Sequence, residues 1–226
     1  MKFINLTRRT EIGANSYYIE AGGTRLVLDS GMHPKEEGEE ALPNFPALGT
    51  REIDAIIVSH AHQDHIGTLP VLMRRQSQAR VFMTEATAEI GSALLHNSVN
   101  VMTRQREELG TTLYPLFTHR EANRAAEMWR SCRFRQSIAL PGERGASGGS
   151  GANFEFVDAG HVLGSAGVIL RAEGQTLFYT GDVNFDDQTI AKGAVFPEGG
   201  VDTLIMETTR GDSATPEGFT RGAEEQ

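Results

Sequence analysis

The chain has 226 residues, 39% of them apolar and 23% charged, enough for one large domain burying roughly 70% of its unfolded surface. Thirty acidic residues against 21 basic ones give a formal charge of −9, which argues against a non-specific nucleic-acid coat or a polybasic membrane binder. An enzyme that grips nucleic acid through a local groove is still compatible with that charge.

The single cysteine, Cys132, excludes an internal disulfide and any multi-cysteine zinc site. The start, MKFINLTRRT, lacks the apolar core of a secretory signal, and no apolar run is long enough to cross a bilayer. A reducing, cytoplasmic setting without membrane attachment is the expectation. Lysine supplies only Lys2, Lys35 and Lys192 of the 21 basic residues, a skew to arginine that reads as coding bias.

In chain order, residues 15–20 (NSYYIE) and 24–29 (TRLVLD) flank Ala21-Gly22-Gly23, the pattern of a β-hairpin. Residues 53–59 (IDAIIVS) are almost continuously apolar, as in a strand buried on both faces. Residues 67–76 read as a helix that tolerates Pro70 in its first turn. A short strand over 80–83 precedes a helix over 85–95, and the pattern from 104 to 134 is helical and polar, broken at Tyr114-Pro115. Residues 138–152 (IALPGERGASGGSGA) are a loop by composition. Strand signals follow at 154–158, 167–172 and 176–180, with a last one at 202–206 (DTLIM). Strands and helices alternate by halves, which predicts an α/β layered-sheet domain. Thr215-Pro216-Glu217 has the form of a helix start, with Thr as N-cap and Pro at the first helical position. Only about two turns of chain remain beyond it. The chain is therefore expected to be an N-terminal piece of something longer.

The chemistry concentrates in Ser59-His60-Ala61-His62-Gln63-Asp64-His65, directly after the buried strand. In extended backbone His60 and His62 project to the same side, so both imidazoles can reach one ion. Asp64 and His65 lie where the chain turns into the next helix and point at a neighbouring position. Neutral imidazole and carboxylate are the usual ligands of zinc and similar ions. Four more residues stand at strand ends: Asp29 closing TRLVLD, His161 after FEFVDAG, Asp182 after TLFYTG and Glu207 after DTLIM. Groups placed there converge on one rim of a sheet. Asp182 suits a bridge between two ions, with one carboxylate oxygen for each.

These residues resemble the metallo-β-lactamase superfamily. The stretches LDSGMHP (28–34), SHAHQDHIGTLP (59–70), AGHVLGSAG (159–167), YTGD (179–182) and METTRGD (206–212) are similar, more narrowly, to its β-CASP branch of RNA-processing nucleases, which includes the cleavage and polyadenylation endonuclease. The resemblance implies an αββα sandwich, here its N-terminal part, truncated before the β-CASP insert. Residues 1–208 would form the metallo-β-lactamase-like domain and 209–226 the start of the insert. It also implies two zinc ions: one on His60, His62 and His161, the other on Asp64 and His65, with Asp182 bridging. Asp29 would orient a ligand histidine, and Glu207 matches the branch's first β-CASP motif. The family supplies a further zinc histidine and a general-acid histidine after the insert, but no histidine follows His161 here. Arg210 stands where the branch commonly has Tyr.

The expected function is a zinc-dependent hydrolase acting on RNA phosphodiesters, with Asp64 orienting or deprotonating the attacking water. This fragment would hold one tight zinc and be weakly active or inactive. Thioester hydrolysis, lactone hydrolysis and a non-catalytic scaffold role in RNA processing are the alternatives, and the sequence leaves a homodimer open. His33, His96 and His119 read as packing or solvent-facing residues, Arg130, Arg133 and Arg135 as a solvated basic face, and Cys132 as a small buried residue.

Overall fold

The hairpin forms as β2 (Tyr17–Ala21) and β3 (Thr24–Leu28), closed by Gly22 and Gly23 at positive φ. The computed structural model describes residues 1–8, 13–140, 151–188 and 191–209. β1 (Lys2–Asn5) adds to the outer side of the hairpin, and β4 (Ala55–Ile57), β5 (Arg80–Thr84) and β6 (Trp129–Cys132) add in parallel on the other. The result is a six-stranded sheet in chain order. A second sheet runs β11-β10-β9-β8-β7, built from β7 (Ile138–Ala139), β8 (Asn153–Asp158), β9 (Ala166–Ala172), β10 (Gln175–Tyr179) and β11 (Thr203–Ile205).

Alternation along the strands builds the layers. Leu26, Leu28, Ala55, Ile57 and Phe82 of the first sheet meet Phe154, Phe156, Leu170 and Leu177 of the second. The residues between them, Val27, Ile56 and Val81, face α2 (Leu69–Arg75), α3 (Glu85–Leu109) and α4 (His119–Ala126) through Leu69, Leu72, Leu95, Val99 and Ala122. Burial on both faces is why the β3 and β4 segments read as nearly continuous apolar runs. The outer face of the second sheet (Val157, Ile169 and Phe178) is met by Val195 and Val201. Among the described residues no helix covers it, so three of the four layers of an αββα sandwich are formed.

Several expectations change. The helix expected over 85–95 continues to Leu109, because Thr87, Gly91, Leu95, Val99 and Met102 keep one buried face at helical spacing. Thr84 caps its start by accepting from the Thr87 N–H, and it stops at Gly110 in the left-handed region (φ 63°). The helical reading of 104–134 fails at its end, where residues 129–132 form the edge strand β6. Parallel pairing with β5, a contact more than forty residues away in sequence, overrides the local polar pattern. The helix expected over 67–76 forms as α2, with Pro70 in its first turn, and a separate short helix, α1 (Gln63–Ile66), precedes it. The glycine-rich stretch falls mostly outside the described residues, as does the helix start at Thr215.

This arrangement places the site. The parallel pairing of β3 with β4 brings the chain just beyond their carboxyl ends, Asp29 and Ser59-His60, to the same rim. From the second sheet, β10 ends immediately before Thr180-Gly181-Asp182. The two sheets touch there: the Ala166 N–H donates to the Ser59 carbonyl at 2.9 Å, and a Cβ on Gly181 (φ 57°) would lie 2.9 Å from Ser59 Cβ. Only glycine allows that approach at that backbone conformation.

Candidate metal centre

Beyond β4 the chain stays extended through His62 and then turns into α1, whose first residues are Gln63, Asp64 and His65. His60 and His65 are buried, Asp64, His161 and Asp182 half-buried, and His62 exposed. The four imidazoles form one cluster, with ring centroids 4.1 Å apart for His60 and His65, 4.7 Å for His60 and His62, 5.1 Å for His60 and His161, and 4.9 Å for His62 and His161. Among the described residues, two groups offer atoms close enough together to hold a metal ion: His60, His62, His161 and Asp182, and Asp64, His65 and Asp182.

Asp182 divides its oxygens between the groups. Its Oδ2 lies 3.5 Å from His161 Nε2 and 3.7 Å from His60 Nε2, whereas Oδ1 lies 3.1 Å from His65 Nε2. His62 Nδ1 is 3.2 Å from His161 Nε2, and Asp64 Oδ2 is 3.6 Å from His65 Nε2. His60 Nε2 is fully buried, faces this cluster and has no hydrogen-bond partner. A buried polar atom left without a partner is costly, and a cation among these donors would satisfy it. The donor set of imidazoles and carboxylates suits zinc-like ions.

Electrostatics follow the burial. Desolvation, reinforced by the neighbouring imidazoles, holds His60 well below its ordinary value, so it is neutral. Burial also works against charge on His65, but Asp29 and Asp182 outweigh it and push the group up to about 10. Burial lowers His161, partly opposed by Asp182. Asp182 is lowered because its hydrogen bond to His65 and the nearby imidazoles overcome the desolvation that would raise it.

Asp29 sits beneath the cluster, fully buried at φ 57°, and accepts hydrogen bonds from Ser59, His65 and Tyr179. Glu207 lies at the rim without joining either group. Its Oε1 accepts from the Val183 N–H at 2.8 Å, fixing the segment that carries Asp182. Of the residues flagged from sequence, His60, His62, Asp64, His65, His161 and Asp182 come together, with Asp29 below and Glu207 beside them. Sequence reasoning did not single out Ser59, Tyr179 or Asn15, whose Nδ2 lies 3.0 Å from His65 Nε2. Ser59 and Tyr179 lie inside stretches already noted for their neighbours, whereas Asn15 carries no local signal.

The remaining candidates stay apart from the rim. His33 is buried and accepts from the Lys35 N–H. His96 and His119 pair with each other between α3 and α4, with Nδ1 atoms 2.7 Å apart. Arg130, Arg133 and Arg135 are exposed on and after β6. Burial pushes the Cys132 thiol up to about 11, which fits a packing residue rather than a nucleophile. A cavity of about 490 Å³ between α2 and α4 contains no rim residue. No helix among the described residues is long and apolar enough to cross a membrane.

Residues 9–215 match the metallo-beta-lactamase superfamily. The chain is 30% identical over 203 residues to cleavage and polyadenylation specificity factor subunit 3-I of Arabidopsis thaliana, covering 89% of this chain and 27% of that protein. It is 32% identical over 226 residues to endoribonuclease ysh1 of Emericella nidulans, covering 99% of this chain and 24% of that protein. The chain thus spans about a quarter of the length of these relatives. Among solved structures, a protein of unknown function from Enterococcus faecalis V583 shares the fold at a TM-score of 0.50 and 17% identity, over 81% of this chain and 43% of that one.

Proposed function

We propose that this chain, which belongs to the metallo-β-lactamase superfamily, forms the metal-binding part of an RNA phosphodiesterase that works with two zinc ions. The observation that carries the reading is the division of the Asp182 oxygens between two donor groups, beside a buried His60 Nε2 that has no other partner. The first ion would be held by His60, His62, His161 and Asp182, and the second by Asp64, His65 and Asp182. Two such cations, when bound, supply positive charge for the phosphoryl oxygens and a water acidified to a pKa of about 7.

The chain's own residues do the rest. Asp64, half-buried at the rim, would orient the attacking water and accept its proton. Asp29 holds His65 through Nδ1, leaving Nε2 turned toward Asp182 and available to hold an ion. Glu207, through Val183, keeps the Asp182 segment from drifting between the two positions. The ions' charge, set against the local carboxylates, lets a protein of net charge −9 present a cationic site to a polyanion. The choice of RNA is supported by the endoribonuclease relatives, and the β-CASP-like stretches agree with it.

The second position has three donors here, one fewer than the first. The 226 residues therefore hold one ion tightly and a second loosely, and cleave RNA slowly on their own. Full activity belongs to a longer polypeptide that adds the missing ligand, a general acid and the opposite wall of the substrate cleft. A domain boundary at 208/209, a cytoplasmic location and a homodimer belong to the same proposal. The test incubates the zinc-loaded longer protein with labelled single-stranded RNA and with a panel of thioesters and lactones. RNA cleavage that is lost on chelation is expected; efficient thioester or lactone turnover without RNA cleavage overturns the reading.

A further inference from the structure

We propose that one oxygen, Asp29 Oδ2, anchors the histidines of both metal positions, and that Ser59 and Tyr179 are the positioning residues that complete this anchor. The inference rests on the two-ion reading above and adds to it how the two positions are held in register.

Asp29 is fully buried, and its Oδ2 accepts from three donors: Ser59 Oγ at 2.7 Å, His65 Nδ1 at 2.7 Å and Tyr179 Oη at 2.5 Å. Its Oδ1 accepts from the Ser59 N–H at 2.7 Å. Each donor comes from a different ligand-bearing segment. Ser59 precedes His60, His65 lies within α1, and Tyr179 ends β10 three residues before Asp182. A hydroxyl has one hydrogen, and that of Ser59 is committed to Asp29. Ser59 Oγ therefore accepts from His60 Nδ1, 3.1 Å away.

The hydrogen-bond pattern thus sets the same ring orientation for both histidines. Nδ1–H points back toward Asp29, directly for His65 and through Ser59 for His60, and Nε2 points toward a metal position. The partnerless Nε2 of His60 is the consequence of that orientation. The Tyr179 phenol is buried, and Asp29 is its hydrogen-bond acceptor. Burial and the Asp29 charge hold its hydroxyl protonated far above the ordinary range, so it is a permanent donor. Removing it leaves Oδ2 one charge-assisted bond short and loosens both histidine arms together. Removing the Ser59 hydroxyl leaves His60 Nδ1 without an acceptor and weighs on the first position.

The test uses the 226-residue chain with cobalt(II), whose visible absorption reports the ligand field. Chelator competition gives the affinity, and circular dichroism reports the fold. Tyr179→Phe is expected to keep the wild-type fold, to bind cobalt about 10- to 100-fold more weakly and to shift the visible bands. Ser59→Ala is expected to weaken the tight ion by a similar factor. Tyr18→Phe, which removes a buried hydroxyl bonded to Glu20 on the helix side, is expected to change neither affinity nor bands. Wild-type affinity and spectrum in both Tyr179→Phe and Ser59→Ala overturn the anchor, whereas an unmodified chain that takes up no cobalt overturns the two-ion reading beneath it. If Tyr179→Phe does not fold, imidazole nitrogen NMR of the zinc-loaded wild-type chain decides. Protonated Nδ1 on both His60 and His65 is expected, and a protonated Nε2 on either overturns the proposal.

Discussion

Gly31→Ala isolates how the rim is assembled. Gly31 lies flat against the first turn of α1: its N–H donates to the Asn15 carbonyl, while those of Ser30 and Met32 donate to the carbonyls of His65 and Gln63. An added Cβ would sit 1.7 Å from the Asp64 carbonyl oxygen, 2.3 Å from its carbon and 2.8 Å from the Asn15 nitrogen. All three are backbone atoms and cannot swing aside. Restoring van der Waals separation requires an opening of roughly 1.5 Å at the peptide that carries Asp64 and leads into His65. Overpacking of this kind costs about 3 kcal/mol or more, a fall in Tm of roughly 6–12 °C for a domain of this size. Gly110→Ala is the control, since a Cβ there meets nothing within 4 Å and bears only the left-handed backbone (φ +63°). That strain costs about 1–2 kcal/mol. Differential scanning calorimetry of both variants, with zinc content measured after dialysis, reads the difference. Gly31→Ala should melt several degrees below Gly110→Ala and lose its metal. A Gly31→Ala chain with wild-type Tm and zinc content would show that this close approach does not hold the rim in place.

Chelation should destabilise the zinc-loaded protein, since an ion present at about a hundred times its dissociation constant contributes roughly 2.7 kcal/mol; melting with and without chelator checks this, and an unchanged Tm contradicts it. Partial burial would raise the Glu121 carboxyl, but its hydrogen bonds from Arg74 and Thr118 outweigh this and hold it below its ordinary value of 4.5. The stability it gives the start of α4 is present above that value and is lost as pH falls below it. Glu121→Gln should therefore flatten the acid limb of the stability–pH curve and leave neutral-pH zinc content unchanged. Phe154→Ala, which empties a fully buried site between the sheets, should cost about 3–5 kcal/mol by urea denaturation without changing zinc stoichiometry in the folded fraction.

The motif His60-Ala61-His62-Gln63-Asp64-His65 was legible because its spacing and its place after an apolar strand are local properties. The same holds for the hairpin around Gly22-Gly23 and for the strand-end positions of Asp29, His161 and Asp182. What lay hidden depends on contacts distant in sequence. β1 is a short KFIN segment that becomes a strand only by pairing with β2. β6 reads as polar helix until β5 supplies its partner. The sequence understates the length of α3 because its later buried positions, Val99 and Met102, are diluted by arginine and glutamate on the outer face. Ser59 and Tyr179 are ordinary residues in sequence. They acquire a role because the two sheets bring segments 120 residues apart to one carboxylate oxygen.

Diffraction at the zinc absorption edge, from crystals of the chain grown with zinc, tests the two-ion site. Two anomalous peaks are expected astride Asp182. One should lie about 2.0–2.1 Å from His60 Nε2, His62 Nδ1 and His161 Nε2, and a second, weaker one beside His65 Nε2 and Asp64. Zinc found only elsewhere on the molecule, with the rim histidines bonded to water, would contradict it.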